Sequence, residues 1–245
     1  GQETSLDAAW FGLAFYAHYL FNEQPSLKKA KEEFALLLNE NAEDYLLLNE
    51  FDETPGISKD NLNAANPSKL LLYQDVLLDL FAPNFSEMSL KKHYTQLTEK
   101  LKQTEDNLLF AFYQKLAKTL AVKAGLAEEI RSAYEQKSQR KMAECINTLA
   151  ILKEEIKELK KAHYLLWNKN YKTFGWEVLD VRYGGLLSRI ETVSLELTLW
   201  QEKKLTKIEP LETPLLPYDR FSKKEDAISS GFYENIITPS KLSGV

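Results

Sequence analysis

One cysteine, three histidines and two methionines are all that the 245 residues offer of the side chains that bind soft metals or form crosslinks. The lone Cys145 excludes an intramolecular disulfide and a thiolate zinc site, and it is consistent with a reducing compartment. It falls on an apolar helical seam, where a small core role is expected of it. Basic charge is also short. The 31 Lys and Arg stand against 36 Asp and Glu for a net charge of -5, and the lysine pairs at 91–92, 160–161 and 203–204 are scattered, so no nucleic-acid partner is expected. No unbroken apolar run reaches membrane-spanning length, so no membrane partner is expected either. A glycine-rich phosphate loop after a strand, a nucleophile elbow and a histidine with Glu three residues upstream are all missing, which leaves no expected cofactor or metal. The chain opens on Gly1 with neither Met nor a signal peptide; this reads as an excised or processed form, with a cytoplasmic location as the default.

What the chain does have is a hydrophobic share of 44%, enough at this length for a sizeable core in one or two domains. Period-3.6 patterning dominates it. The expected fold class is all-α: a multi-helix bundle with a long antiparallel helical hairpin and an irregular C-terminal tail. A first helix over residues 5–21 is apolar on nearly every side and needs cover all round. Ser26 caps a second helix to Leu38, and a short helix covers 42–48. Asn66-Pro67 is a cap followed by proline at the first helical position, which predicts a buried helix to Phe81 interrupted by Gln74, Asp75 and Asp79. Helices over 89–103 and 106–134 follow. Met142, Cys145, Leu149, Leu152, Ile156, Leu159, His163 and Leu166 then alternate spacings of three and four, as do Leu179, Tyr183, Leu186, Ile190, Val193, Leu197 and Trp200. Two such seams predict a hairpin turning near 168–173. Prolines 210, 214 and 217 end this regime, leaving 232–238 (FYENIIT) as the one expected strand.

The stretch NKNYKTFGWEVLDVRYGGLLSRIE, from Asn168 to Glu191, places Gly184 and Gly185 inside the second long helix. Each costs roughly 1 kcal/mol relative to alanine there, so a close approach by a neighbouring backbone is expected. Glu177, Asp180 and Arg182 sit among apolar positions, and an ion pair made by Arg182 is expected to hold helix register. Trp167, Trp176 and Tyr183 fall at core spacing and should pack rather than stack on sugars.

With NPSKLLLYQDVLLDLF (Asn66 to Phe81) and the opening GQETS, this block resembles the helical C-terminal region of a bacterial group of glycoside hydrolase family 20 enzymes, the exo-acting β-N-acetylhexosaminidases. The likeness covers most of the chain, with a looser match after Tyr218. It implies a structural signature at Gly175, Trp176, Glu177, Asp180, Arg182, Tyr183, Gly184 and Gly185. It also implies that Gly1-Gln2-Glu3 ends a barrel-strand motif, making Glu3 a sugar-hydroxyl ligand of the intact enzyme.

Family 20 enzymes pair an aspartate that steadies the substrate acetamido group with a glutamic acid that protonates the leaving oxygen. The Asp52-Glu53 dipeptide lacks the barrel-strand setting of that pair, and a (β/α)₈ barrel takes about 250 residues of alternating strand and helix. No catalytic residue is therefore assigned. The expected reading is a non-catalytic helical C-terminal domain. Residues 1–22 would belong to the edge of a missing barrel, 23–209 would form the helical domain, and 210–245 an irregular tail packed on the helices. The expected partner is the catalytic barrel of the same polypeptide, with a homodimer through residues 5–21 as a further expectation. The alternative is a free-standing helical protein-interaction module.

Overall fold

Two long helices organise the protein in a computed structural model that describes residues 5–57, 66–79, 82–85, 89–104 and 106–214. Helix α9 (Gln139–Asn170) starts at Ser138, whose side chain accepts from Lys141 N, and α10 (Trp176–Gln201) starts at Gly175. Every seam residue of α9 is buried, as are those of α10 up to Leu197. The two run antiparallel. Gln201 Nε2 donates to Gln139 O at one end, the Lys153–Glu191 pair spans the middle, and Trp167 meets Trp176 at the other end.

Around this pair lie α6 (Leu90–Leu101), α7 (Leu108–Lys123) and α8 (Leu126–Glu135), with α7 packed between α6 and α9 and α8 also on α9. Leu109, Phe112 and Leu120 of α7 are buried. In front come α1 (Trp10–Phe21), preceded by a 3₁₀ turn at Leu6–Ala9, α2 (Leu27–Leu38), and α3 (Ala42–Leu46), continued as 3₁₀ to Phe51. Ser26 caps α2 as its sequence requires. The short helices α4 (Pro67–Tyr73), α5 (Ala82–Phe85) and α11 (Glu209–Glu212) complete an all-α fold, with no strand among the described residues. The FYENIIT segment and the rest of the tail beyond 214 lie outside them.

The structure corrects two helix boundaries. The helix expected over 106–134 is two helices, because Gly125 at φ +79 takes a left-handed conformation that breaks the ladder. The helix expected to run to Phe81 stops at Tyr73. There the buried Lys123 ammonium donates to Leu72 O and Gln74 O, both at 2.6 Å, and satisfies carbonyls at the helix end. One residue on, Asp75 Oδ1 accepts from Leu77 N and Leu78 N and folds the chain into a turn. Arg189 of α10 closes on the same carboxylate at 2.6 Å. The polar residues that looked like interruptions of a helix thus form a buried knot tying α4 to α7 and α10.

Burial pushes the Asp75 carboxyl up, but the hydrogen bonds and charge of Arg189, with the two backbone N–H groups, outweigh it and hold the carboxyl below its usual range.

Candidate functional site

The signature block sits at the tip of the α9–α10 hairpin, and its geometry explains most of its residues. Gly175 takes φ +97, a conformation that favours glycine, and a Cβ there would stand 3.3 Å from the Trp167 ring and press on it. Glu177 reaches back to accept from Gly175 N at 2.8 Å, which settles a donor at the helix start. Trp176 is buried and its indole N–H donates to Asp180 Oδ1, which also binds Lys160 of α9 at 2.8 Å. Tyr183 is buried with its hydroxyl 3.0 Å from His163 Nδ1. Rings of Phe112, Trp176 and Tyr183 surround His163, while Trp167 stacks edge-on to Trp176. Trp176 and Tyr183 therefore face the core, where no sugar reaches them. Arg182 lies 5.5 Å over the Tyr73 ring, and further along α10 Arg189 pairs with Asp75 in the turn after α4.

The first glycine of the pair has no close neighbour among the described residues. Gly184 is exposed, and a Cβ added there meets nothing within 4 Å, so no neighbouring backbone of the described chain needs its space. Gly185 is half-buried. Gly184→Ala should raise the stability of this chain by up to about 1 kcal/mol, through helix propensity alone. A lowered denaturant midpoint for that variant would mean that the face is covered.

Val178, Val181 and Leu195 share that open side of α10, and Phe174 at the tip is 87% exposed. A second uncovered surface belongs to α1. Of Trp10, Phe11, Leu13, Phe15, Tyr16, Tyr19, Leu20 and Phe21, only Phe11 is buried, at 6% exposure, and Phe21 is 86% exposed. Leu36 and Leu37 of α2 are open as well. Monomeric proteins rarely leave so many large apolar side chains to water, and such patches mark interfaces. The start of the chain is pinned to the hairpin tip. Leu6 N donates to Tyr171 OH, Asn170 Nδ2 to Ser5 Oγ, and Lys169 pairs with the buried Asp7 at 2.8 Å.

Among the described residues, no acid, base and nucleophile converge at these surfaces. Asp52 and Glu53 are both exposed at the end of the 3₁₀ turn after α3, and Glu3 lies outside the described residues. His18 is held by Glu33 and Ser26 N, and His93 by Glu50 O. No cluster able to hold a metal ion occurs among the described residues, and no helix there is long and apolar enough to cross a membrane.

The fold and these surfaces define an all-helical domain whose most apolar face is uncovered. The family model described as Glycoside Hydrolase 20C C-terminal domain matches residues 43–230, and the chain belongs to that family. No curated protein matches it. The matched region starts within α3, leaving α1 and α2 ahead of it.

Proposed function

We propose that the chain is a non-catalytic, buttressing domain of a β-N-acetylhexosaminidase-like enzyme, docked on a catalytic barrel of the same polypeptide through α1 and the α9–α10 tip. The observation that carries this reading is the uncovered apolar α1, joined by Ser5, Leu6 and Asp7 to the hairpin tip. A barrel feeding into Ser5 would meet Leu6, Tyr171 and Phe174 first, all of them exposed. Helix α1 lies ahead of the matched family region, in keeping with residues 1–22 belonging to the barrel edge.

The intact enzyme would remove terminal β-linked N-acetylhexosamine by substrate-assisted retaining hydrolysis, with its acid pair supplied by the barrel. The helical domain would cover apolar barrel surface and hold α1 against it. The purified 245-residue chain should therefore show no turnover of a chromogenic β-N-acetylglucosaminide. Turnover that disappears in Glu53→Gln would overturn the proposal.

A further inference from the structure

A cavity of about 800 Å³ opens between the α4–α5 turn, the start of α6, the α7–α8 junction and α9, on a part of the molecule that the docking role does not use. Its volume is in the range of small-molecule sites. Leu71, Val76, Phe85 and Leu90 give it apolar walls, and Asp79 and Lys123, each 5% exposed, also line it.

Both buried groups keep one bonding position unspent. Lys123 uses two of its three N–H donors on Leu72 O and Gln74 O. Asp79 accepts from Gln74 Nε2 on Oδ1, and Oδ2 has no hydrogen bond among the described residues. Burial pushes the Asp79 carboxyl up to about 7, with Glu128 adding to it, and the same desolvation brings the Lys123 ammonium down to about 7. Asp79 Oδ2 is not sealed in the protein, so its lone pairs and the third Lys123 N–H are open to a partner that enters the cavity.

The remaining lining narrows the chemistry. The rim carries Lys91, Lys92 and Lys141 against Glu128, Glu129 and Glu144, and Lys91 already binds Glu129 at 2.7 Å. The charges balance, so the cavity favours neither anions nor cations. Helices α6 and α8 both begin at its edge without a side-chain cap, which leaves backbone N–H donors there, while Glu128 and Glu129 in the first turn of α8 offset its dipole. Unspent donors and an unspent acceptor beside apolar walls suit groups that donate and accept at once.

We propose that this cavity binds a neutral, hydroxyl-rich small molecule of sugar size, with hydroxyls bridging Asp79 Oδ2 and Lys123 Nζ and one ring face against Phe85 and Leu71. This assignment is independent of the docking role. Cys145 also lines the cavity and is the chain's one thiol, so its alkylation reports occupancy.

The test uses the full 245-residue chain, with glucose, galactose and mannose as neutral probes, and glucose 6-phosphate and free lysine as charged ones. Saturation-transfer NMR and the rate of Cys145 alkylation are read together. At least one neutral sugar should bind saturably and slow alkylation. Asp79→Asn, which tolerates the left-handed backbone at that position, should weaken binding about tenfold or more. Ala127→Trp, which fills the cavity from its lining and leaves Asp79 and Lys123 themselves unsubstituted, should abolish both signals. The proposal fails if no neutral sugar binds the wild-type chain, if only a charged probe does, or if sugar binding survives Ala127→Trp.

Discussion

Replacing Arg189 with methionine should cost this fold about 3 kcal/mol, the lower end of the penalty for stranding one partner of a buried ion pair, because the guanidinium is itself one-third exposed. Asp75 is 1% exposed, and Arg189 of α10 is the cation that reaches it, at 2.6 Å. The methionine keeps most of the side-chain volume but removes the charge, so Asp75 must either stay ionised in the core or take up a proton. Because the wild-type carboxyl is held below its usual range, its contribution is fully present above the unfolded carboxylate pKa of about 3.9 and is lost as pH falls through the folded value. The variant should lose that acid-side dependence along with its stability. Denaturant titration at several pH values checks both, and a midpoint that matches wild type at neutral pH would show that the knot is not a structural tie.

Phe34→Ala should be comparably damaging, by about 3–5 kcal/mol, for a different reason. Phe34 is 1% exposed and stands in a row of edge-to-face rings running Phe11, Phe34, Tyr45, Phe110, with centroids 5.1 to 5.4 Å apart. This row joins α1 and α2 to the core of α7. Truncating its second member leaves a cavity where α1 is attached, and α1 has few other partners besides α2 and the hairpin tip. Limited proteolysis should cut the variant between residues 22 and 41 faster than wild type, alongside the lowered midpoint. Equal proteolysis rates would mean that the hairpin tip alone holds α1 in place.

The long seams were legible because burial of one stripe of a helix writes itself into the sequence at spacings of three and four. His163 and Cys145 fit those seams and are buried there. The all-round apolar character of α1 was equally plain, and since the described chain packs only the Phe11 side of it, the other apolar side chains are left largely exposed. The end of α4 was not legible. Its determinants, Lys123 and Arg189, come from 51 and 114 residues further along the chain, and no local pattern announces them. The break at Gly125 had a signal, a lone glycine in a helical pattern, that continuous apolar periodicity masked. Helix propensity at Gly184 states a cost without naming what offsets it, and the described chain puts nothing against that residue. The cavity holding Asp79 and Lys123 was also missed, since its two polar groups lie on separate elements that only the tertiary fold brings to one place.

The intact mass of the native gene product tests the central claim most directly. A domain that buttresses a barrel through α1 predicts a single polypeptide larger than this 28.2 kDa chain by a (β/α)₈ barrel of roughly 250 residues. A native product of 28.2 kDa, starting within a few residues of Gly1, would contradict it and leave a free-standing helical interaction module in its place.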